Sequence, residues 1–467
     1  MAPIAELSWL SRITTLVLEQ LHRCITMKIF LLLLAVMAVH GYAQRIIFSP
    51  EWEKKRPNII SRSNIPDMPN NFKSPYPRRY NKVDFVSRER VEQAMNIFAI
   101  NLYKTMDTKA GNSVVSPYSA YLALAMATYG AAGKTRRELL NVLRLPKETS
   151  PNVISQTKQF LGEVQDRFMF AGPKLPFYVT ANMVIVNDSI SLKPDYRNVV
   201  ESTFKSSLVS ANFGNPQQAA NTINNKISEL SHKFVEKVVD EEAFSEDPSV
   251  LIMNTVFFYG LWEKQFPVED TTDRDFYVND QIVKSVPTMA IEEEFEVGEL
   301  SRLDAKFVVL PYKNTRNPED AAYMYLILPN KRNGLATLQK QINYGTLKEL
   351  QKTQLYSTTI MLPKFKIEQQ SSLTQNLINM GVAWAFSKGA NFTGITADMD
   401  LYISSVSQQT SLTVNEAGTL GQSTTSIGFS WRIGGGSIYR FDHPFLVIVA
   451  TKKVILFTAN VVDPSQL

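Results

Sequence analysis

The stretch between Val414 and Phe445 has to be a loop, yet it is patterned as a strand. It opens on Asn415-Glu416-Ala417-Gly418-Thr419 and closes on Phe441-Asp442-His443-Pro444-Phe445. In between run about twenty residues without a compact apolar block, and a loop that long inside a domain usually carries function. Thr419, Gly421, Ser423, Thr425, Ile427, Phe429 and Trp431 share one parity, small at the near end and apolar at the far end. Leu420, Gln422, Thr424, Ser426, Gly428 and Ser430 share the other, which is mostly polar. That alternation is the period of a strand with one buried face. The segment is therefore expected to have two states, first exposed and later inserted.

A set of motifs stands in fixed order around this stretch. They are Asn112-Ser113-Val114-Val115-Ser116-Pro117-Tyr118-Ser119, Tyr129-Gly130-Ala131, Ala181-Asn182 and Asn254-Thr255-Val256-Phe257-Phe258-Tyr259-Gly260-Leu261-Trp262. Leu362-Pro363-Lys364-Phe365 and Phe392-Thr393-Gly394-Ile395 follow, and the two loop motifs complete the order. On these residues the chain resembles the serpins, serine protease inhibitors of the suicide-substrate type, over residues 83–464.

The resemblance implies an α+β fold with three β-sheets, eight or nine helices and an exposed reactive-centre loop. Counting fourteen residues from the hinge glycine, Gly418, places the scissile bond between Arg432 and Ile433. An arginine there suits the carboxylate-floored pocket of a trypsin-like protease, because a guanidinium pairs with a carboxylate at two points. Phe429 and Trp431 are secondary cut candidates for a chymotrypsin-like enzyme. The implied hinge is Glu416, Ala417, Gly418, Thr419, Leu420, Gly421, Gln422, Ser423, Thr424 and Thr425. Ser116, Ser119, Asn254 and Gln408 match the shutter of the central sheet, and Trp262 matches its top. The implied partner is a trypsin-like serine protease held as a covalent acyl complex, with the inhibitor a monomer. Arg432-Ile433-Gly434-Gly435 also resembles the activation site of trypsin-like zymogens. Bait for an activating protease and coincidence both remain open readings of that likeness.

Three departures from the family pattern stand out. The hinge has Leu420-Gly421-Gln422-Ser423 where efficient inhibitors are alanine-rich, and Gly421 costs about 0.5–1 kcal/mol more than alanine on ordering. Gln408 stands where a histidine is usual, and it can still donate and accept. Lys226 replaces a tryptophan of the helix over the sheet. The helical stretch 155–167 lacks a basic stripe, which argues against activation by heparin through it. No charged residue and no proline occurs between Gly418 and Trp431, so nothing in that run forbids insertion. Inhibition is favoured. The alternative is a non-inhibitory serpin acting as carrier, chaperone or storage protein.

A targeting segment sets the expected compartment. Of 467 residues one is cysteine, Cys24. It precedes a signal-like segment in which Met27-Lys28 leads an apolar run over 29–39, with small residues before a cut after Ala43. The run is too short for a bilayer of about 30 Å. Residues 1–43 are thus read as a signal region, with Met27 the more natural initiator, and the protein as secreted and free of cysteine. Residues 44–82 are read as a basic, proline-rich flexible extension, with Lys54-Lys55-Arg56 and Arg78-Arg79 as basic clusters. Contact with a polyanion, a processing site and a solvated leader are its three readings. Residues 83–467 are the serpin domain. A net charge of +5 implies no nucleic-acid partner, and no membrane partner is expected.

Apolar spacing predicts helices over 86–106, 120–129, 135–143, 157–168 and 216–238. Strands are expected over 177–186, 250–258, 307–310, 323–328, 358–361, 412–414, 445–450 and 454–459. Helices crowd the first half and strands the second, which argues α+β. The four histidines show no zinc spacing, and no nucleophile elbow or phosphate loop occurs. No metal, cofactor or catalytic residue is expected. Asn187-Asp188-Ser189 and Asn391-Phe392-Thr393 are N-glycosylation sequons; Asn391 falls in a motif expected to be partly buried.

Overall fold

The first helix begins where its sequence says it must. Ser87 caps it, its hydroxyl accepting from the Arg90 amide at 3.3 Å, and helix α1 runs over Arg88–Lys104. The spaced residues Val91, Met95, Phe98, Ala99 and Leu102 form its buried face. The computed structural model describes residues 87–107, 111–146, 155–163, 177–231, 233, 235–244, 250–313, 321–397, 401–419 and 437–466. The signal region, the basic extension, and Leu420 through Thr425 with Arg432 and Ile433 lie outside the described residues.

Strand β1, Ser113–Val115, leads into α2, Pro117–Gly130. Ser116 is the N-cap and proline takes the first turn, where its missing N–H costs nothing. Every residue of α2 except Tyr129 is buried. A helix apolar on all sides belongs in the middle of a core, and α2 sits there, with Phe98 of α1 set edge-on to its Tyr121 at 5.4 Å. Helix α3, Gly133–Val142, and α4, residues 155–163, follow. After strand β2, Phe177–Asn187, come the short α5, Pro194–Asn198, strand β3, Ser207–Ala211, and α6, Pro216–Leu230. The second half supplies β4, Val250–Leu261, β5, Thr272–Tyr277, β6, Val283–Leu300, β7, Ala305–Pro311, and β8, Ala322–Pro329. Helices α7, Leu335–Gln341, and α8, Tyr344–Glu349, lead to β9, Gln354–Pro363, β10, Phe365–Ser372, α9, Thr374–Met380, and β11, Ile403–Val414. The chain ends through β12, Gly418–Thr419, β13, Ser437–Arg440, β14, Phe445–Thr451, and β15, Ile455–Val461.

Among the described residues there are nine α-helices and two hydrogen-bonded strand networks. The six-stranded sheet has the order β10-β11-β12-β4-β2-β3. The larger network runs β1-β15-β14-β8-β7-β6-β9-β13, with β5 on β6. The three sheets implied by resemblance appear as two networks because the 18-residue β6 is shared. Its Val283–Thr288 end pairs with β5 and its Glu296–Leu300 end with β7. One face of the six-stranded sheet lies against α2. The other is covered by Ala219, Ala220, Ile223 and Ile227 of α6.

Three sequence expectations shift. The helix expected to reach 238 stops at Leu230, because Lys233 takes a left-handed φ of 66° and the Ser231 hydroxyl accepts from the Val235 amide at 3.1 Å. Val235 and Val238 kept the helical spacing alive in the sequence; they are buried against the sheet instead. Strand β6 was hidden by its charged middle, Glu292-Glu293-Glu294. Strand β11 starts at Ile403 rather than 412, its first part masked by serines and glutamines.

The α1–α2 contact makes a first prediction. Phe98→Ala empties a fully buried site, and such truncations cost about 3–5 kcal/mol. Thermal unfolding of the variant should begin well below that of the wild type; equal midpoints would contradict the packing.

Candidate functional site

The six-stranded sheet has a seam that is closed below and open above. β11 and β4 pair in parallel from Ile403 with Val250 up to Ser411 with Phe257. Above that they part, and β12 fills the gap, with Thr419 opposite Val414 on one side and Gly260 on the other. The turn that sends the chain back is closed by Asn415, whose Oδ1 accepts from the amides of Ala417 and Gly418 at 3.0 and 3.2 Å. Gly418 has φ +154°, and a Cβ there would stand 2.0 Å from the Gly260 carbonyl oxygen. No side chain fits at that position without parting the strands.

The top of the seam is held by a clamp. The Trp262 ring stacks on Tyr312 at 4.6 Å, and its Nε1 donates to the Asn415 carbonyl at 2.9 Å. The Trp262 amide donates to the Ala417 carbonyl at 2.9 Å and the Phe266 amide to that of Glu416 at 3.0 Å. The Glu416 carboxylate meets Lys364 Nζ at 3.0 Å and accepts from Thr271 Oγ1 at 2.9 Å. Burial pushes the Glu416 carboxyl up, but hydrogen bonds from backbone, Lys364 and Thr271, with the Lys364 charge, outweigh it and hold the group below the usual carboxylate range. Thr419 is fully buried and shares a 2.7 Å hydrogen bond with the Tyr312 hydroxyl. Burial drives that phenol far above its ordinary range, so it stays neutral.

This corrects one expectation. The hinge was read as exposed until cleavage, but Gly418 and Thr419 are already strand residues inside the sheet. The reason is tertiary: Tyr312 and the Gly260 backbone offer partners that only the folded sheet assembles. Sequence reasoning named Trp262, Glu416 and Thr419 but missed Tyr312, Lys364 and Thr271 as their partners. Lys364 stood in a quoted motif; the other two gave no signal.

Ser116, Ser119, Asn254 and Gln408 come together in the buried middle of the seam. Gln408 Oε1 accepts from the Ser116 amide at 2.7 Å and its Nε2 donates to the Ser116 carbonyl at 3.0 Å. Ser116 Oγ donates to the Leu456 carbonyl at 2.9 Å and accepts from the Ser119 amide at 3.3 Å. Asn182 Oδ1 accepts from Ser119 Oγ and from Asn254 Nδ2, both at 2.8 Å. Asn182 is thus the missed member that links the other four. The Asn254 Oδ1 is buried with no hydrogen-bond partner, a costly state for an amide oxygen. A two-point amide contact replaces the imidazole of the family pattern, and it carries no charge.

Other singled-out residues fall elsewhere. Lys226 pairs with Glu229 on the outer side of α6 at 2.9 Å. His443 is buried, its Nε2 against the Pro329 carbonyl at 2.8 Å and its Nδ1 on Asp442 at 2.7 Å. Asn187 ends β2; the motif at Asn391 is partly buried, as expected, through Phe392 and Ile395, while Asn391 itself is exposed.

Comparison with known proteins gives the class. Residues 93–464 match the family model described as serpin (serine protease inhibitor). Serine protease inhibitor 42Dd of Drosophila melanogaster is 31% identical over 356 residues, which cover 76% of this chain and 91% of that protein. The crystal structure of Serpin48 from the insect Tenebrio molitor superimposes with a TM-score of 0.70 at 26% identity, covering 80% of this chain and 98% of the other. Human thyroxine-binding globulin, solved as a complex with thyroxine, superimposes with a TM-score of 0.72 over 81% of this chain and 100% of that one. Its 22% identity shows the fold alone. The chain belongs to the serpin family, whose members are mostly protease inhibitors and not themselves enzymes.

The clamp has a pH signature. A carboxyl with a depressed folded pKa adds stability above its unfolded value and loses it as pH falls through the folded one. Hinge pairing should therefore hold from neutrality to about pH 5 and weaken below about pH 4. Amide protection at Gly418 and Thr419, measured against the intrinsic exchange rate at each pH, should fall in that acid window, and Glu416→Gln should show weak protection already at neutrality. Wild-type protection unchanged between pH 7 and pH 3, together with a silent Glu416→Gln, would disprove the clamp.

Proposed function

We propose that this protein is a secreted inhibitor of a trypsin-like serine protease, cleaved between Arg432 and Ile433 as a suicide substrate. The observation that carries this reading is the register of β12. Thr419 sits between Val414 and Gly260. Extending that register antiparallel sets Gly421 between Leu412 and Phe258 and Ser423 between Thr410 and Val256. Thr425 then falls between Gln408 and Asn254, and Ile427 between Val406 and Ile252. The one side-chain-free residue meets the largest neighbour, the hydroxyls meet the polar middle, and the apolar end meets the buried apolar pair. Thr425 brings a hydroxyl donor to the level of the unpartnered Asn254 Oδ1. Insertion separates pairs that β11 and β4 already make and restores a ladder on each side of the new strand.

The chemistry follows. The protease serine attacks the Arg432 carbonyl, the peptide bond breaks with Ile433 leaving as the amine, and an ester joins enzyme to inhibitor. Entry of the freed loop into the seam carries the enzyme along and distorts its site before water reaches the ester. The strain released is the difference between the intact and inserted sheets, and the intact form persists by its barrier. The signal region supports secretion, and the lack of cysteine after Ala43 does not oppose it, because a core of this size needs no disulfides. A place in an extracellular immune or coagulation-like cascade belongs to the same proposal; its coagulation-like part has a parallel in the relative named intracellular coagulation inhibitor 2 of Tachypleus tridentatus, 27% identical over 386 residues. A non-inhibitory carrier is the second reading, favoured by Leu420-Gly421-Gln422-Ser423 at the hinge. The target is expected to meet a monomer, with the basic extension 44–82 as a polyanion tether.

Mixing with trypsin should yield a complex that survives denaturing electrophoresis and a released fragment starting at Ile433. Arg432→Ala should lower the inhibition rate by orders of magnitude with unchanged melting. Cleavage only after Trp431, or full inhibition by the variant, would refute the assigned bond.

Thr425→Arg tests insertion itself. The substitution sets a long cation against the buried Gln408–Asn254 pair, where an unpaired charge is costly. The variant should be cut after Arg432 and release active protease. Cleaved wild type should melt far above the intact form and the cleaved variant should not. Equal melting of cleaved and intact wild type would hand the lead to the carrier reading.

A further inference from the structure

Two motifs of the sequence play no part in the seam, and the fold gives both the same geometry. Asn187 Oδ1 accepts from the amide and the hydroxyl of Ser189, both at 3.2 Å. Asn391 Oδ1 accepts from the Thr393 amide at 3.2 Å and from its hydroxyl at 2.8 Å. In both, the oxygen of the amide is engaged by the third sequon residue, while Nδ2 makes no hydrogen bond among the described residues. Asn391 and Thr393 are exposed, as are Asp188 and Ser189, with Asn187 half-buried. The Asn391 loop is firmly seated. Gly394 donates to the Gly130 carbonyl at 3.0 Å, Lys193 donates to the Ile395 carbonyl at 2.8 Å, and Lys193 Nζ donates to that of Thr393 at 2.7 Å.

Both sites lie at one end of the molecule. Val186, next to Asn187, pairs with Val250 at the start of β4, whereas the hinge pairs with Gly260 and Leu261 at its end. Ten strand residues separate the two levels, about 33 Å at a rise of ~3.3 Å per residue. Lys193, six residues after Asn187, ties the Asn391 loop to the same end.

We propose that Asn187 and Asn391 are N-glycosylated and that both glycans project from the pole opposite the hinge. This rests on the secretory reading above. The modification joins the amide nitrogen to C1 of an oligosaccharide carried on a lipid pyrophosphate. The C1–oxygen bond to the carrier breaks, the lipid pyrophosphate leaves, and the amide nitrogen gives up one proton. The reaction acts on the chain as it enters the secretory route, so the folded protein has only to leave room for the product, which it does at both positions. The placement keeps both glycans away from the hinge end of the seam.

The test is expression of the full chain in insect cells, with enzymatic deglycosylation of the secreted protein in H2(18)O and peptide mapping. Asn187 and Asn391 should each be recovered as labelled aspartate. An unmodified asparagine at either position overturns the assignment there. A second protein, with residues 1–43 replaced by an established signal peptide, separates the two readings. If only the native chain stays inside the cell, the secretory reading fails; if the second protein is secreted with bare asparagines, the glycan assignment fails. The double variant Asn187→Gln/Asn391→Gln should inhibit trypsin at a rate within about twofold of the glycosylated protein, whereas a tenfold change would overturn the placement.

Discussion

The structure turns on the parallel contact between β11 and β4. These strands touch along Ile403–Ser411 although a further strand fits between them, as β12 shows at the top. Side chains along the contact are unusual for a core. Gln408, Asn254, Asn182, Ser116 and Ser119 are buried and bonded to one another, while Asn254 keeps one oxygen without a partner. A polar network that is nearly but not wholly satisfied is a high-stakes arrangement in a low-dielectric interior. It holds the strands in register and leaves a reason for them to part.

Around that seam the rest of the molecule acts as support. Helix α2 is apolar on all sides because it must fill the space beneath the sheet, and its N-cap serine is at once the partner of Gln408. The cap and the shutter are the same residue, so the start of a helix and the closure of a sheet are coupled. On the opposite face α6 rests on the sheet through small and branched side chains, Ala219, Ala220, Ile223 and Ile227. A helix so seated has to shift if a new strand widens the sheet.

At the top of the seam different forces decide. The hinge is held by main-chain pairing at Gly418 and Thr419, by the Tyr312 hydroxyl and by the Glu416–Lys364 pair. The ion pair is half of an exchange: the carboxylate loses water and gains three hydrogen-bond partners, which is why its acidity rises despite burial. Replacement of the usual shutter histidine by Gln408 removes the group that would titrate near neutrality from the middle of the sheet. Among the hinge contacts described, titration then belongs to Glu416.

Much of this was legible in the sequence. The periods of α1 and α2, the strands rich in branched residues and the ordered motifs gave the α+β class and the family. The parity of 419–431 is the ground for expecting two states of the loop, because alternation survives whether or not the strand is paired. What the sequence left hidden has a common cause. β11 is polar at seven of its first nine residues, all but Ile403 and Val406, and β6 is charged in its middle, so neither shows the apolar pattern by which strands are recognised; their partners, not their composition, make them strands. Helix α6 stops short for the same reason, since Val235 and Val238 meet the spacing rule and find the sheet instead. Tyr312 and Thr271 carry no local mark at all. The sequence alone determined the repeats of α1, α2 and the branched strands, the hydroxyl-bearing first turn at Ser116 and the order of the motifs. Only the tertiary structure decided that Gly418 and Thr419 already lie within the sheet, because their partners, Gly260 and Leu261 of β4 and Tyr312 just past β7, lie more than a hundred residues away.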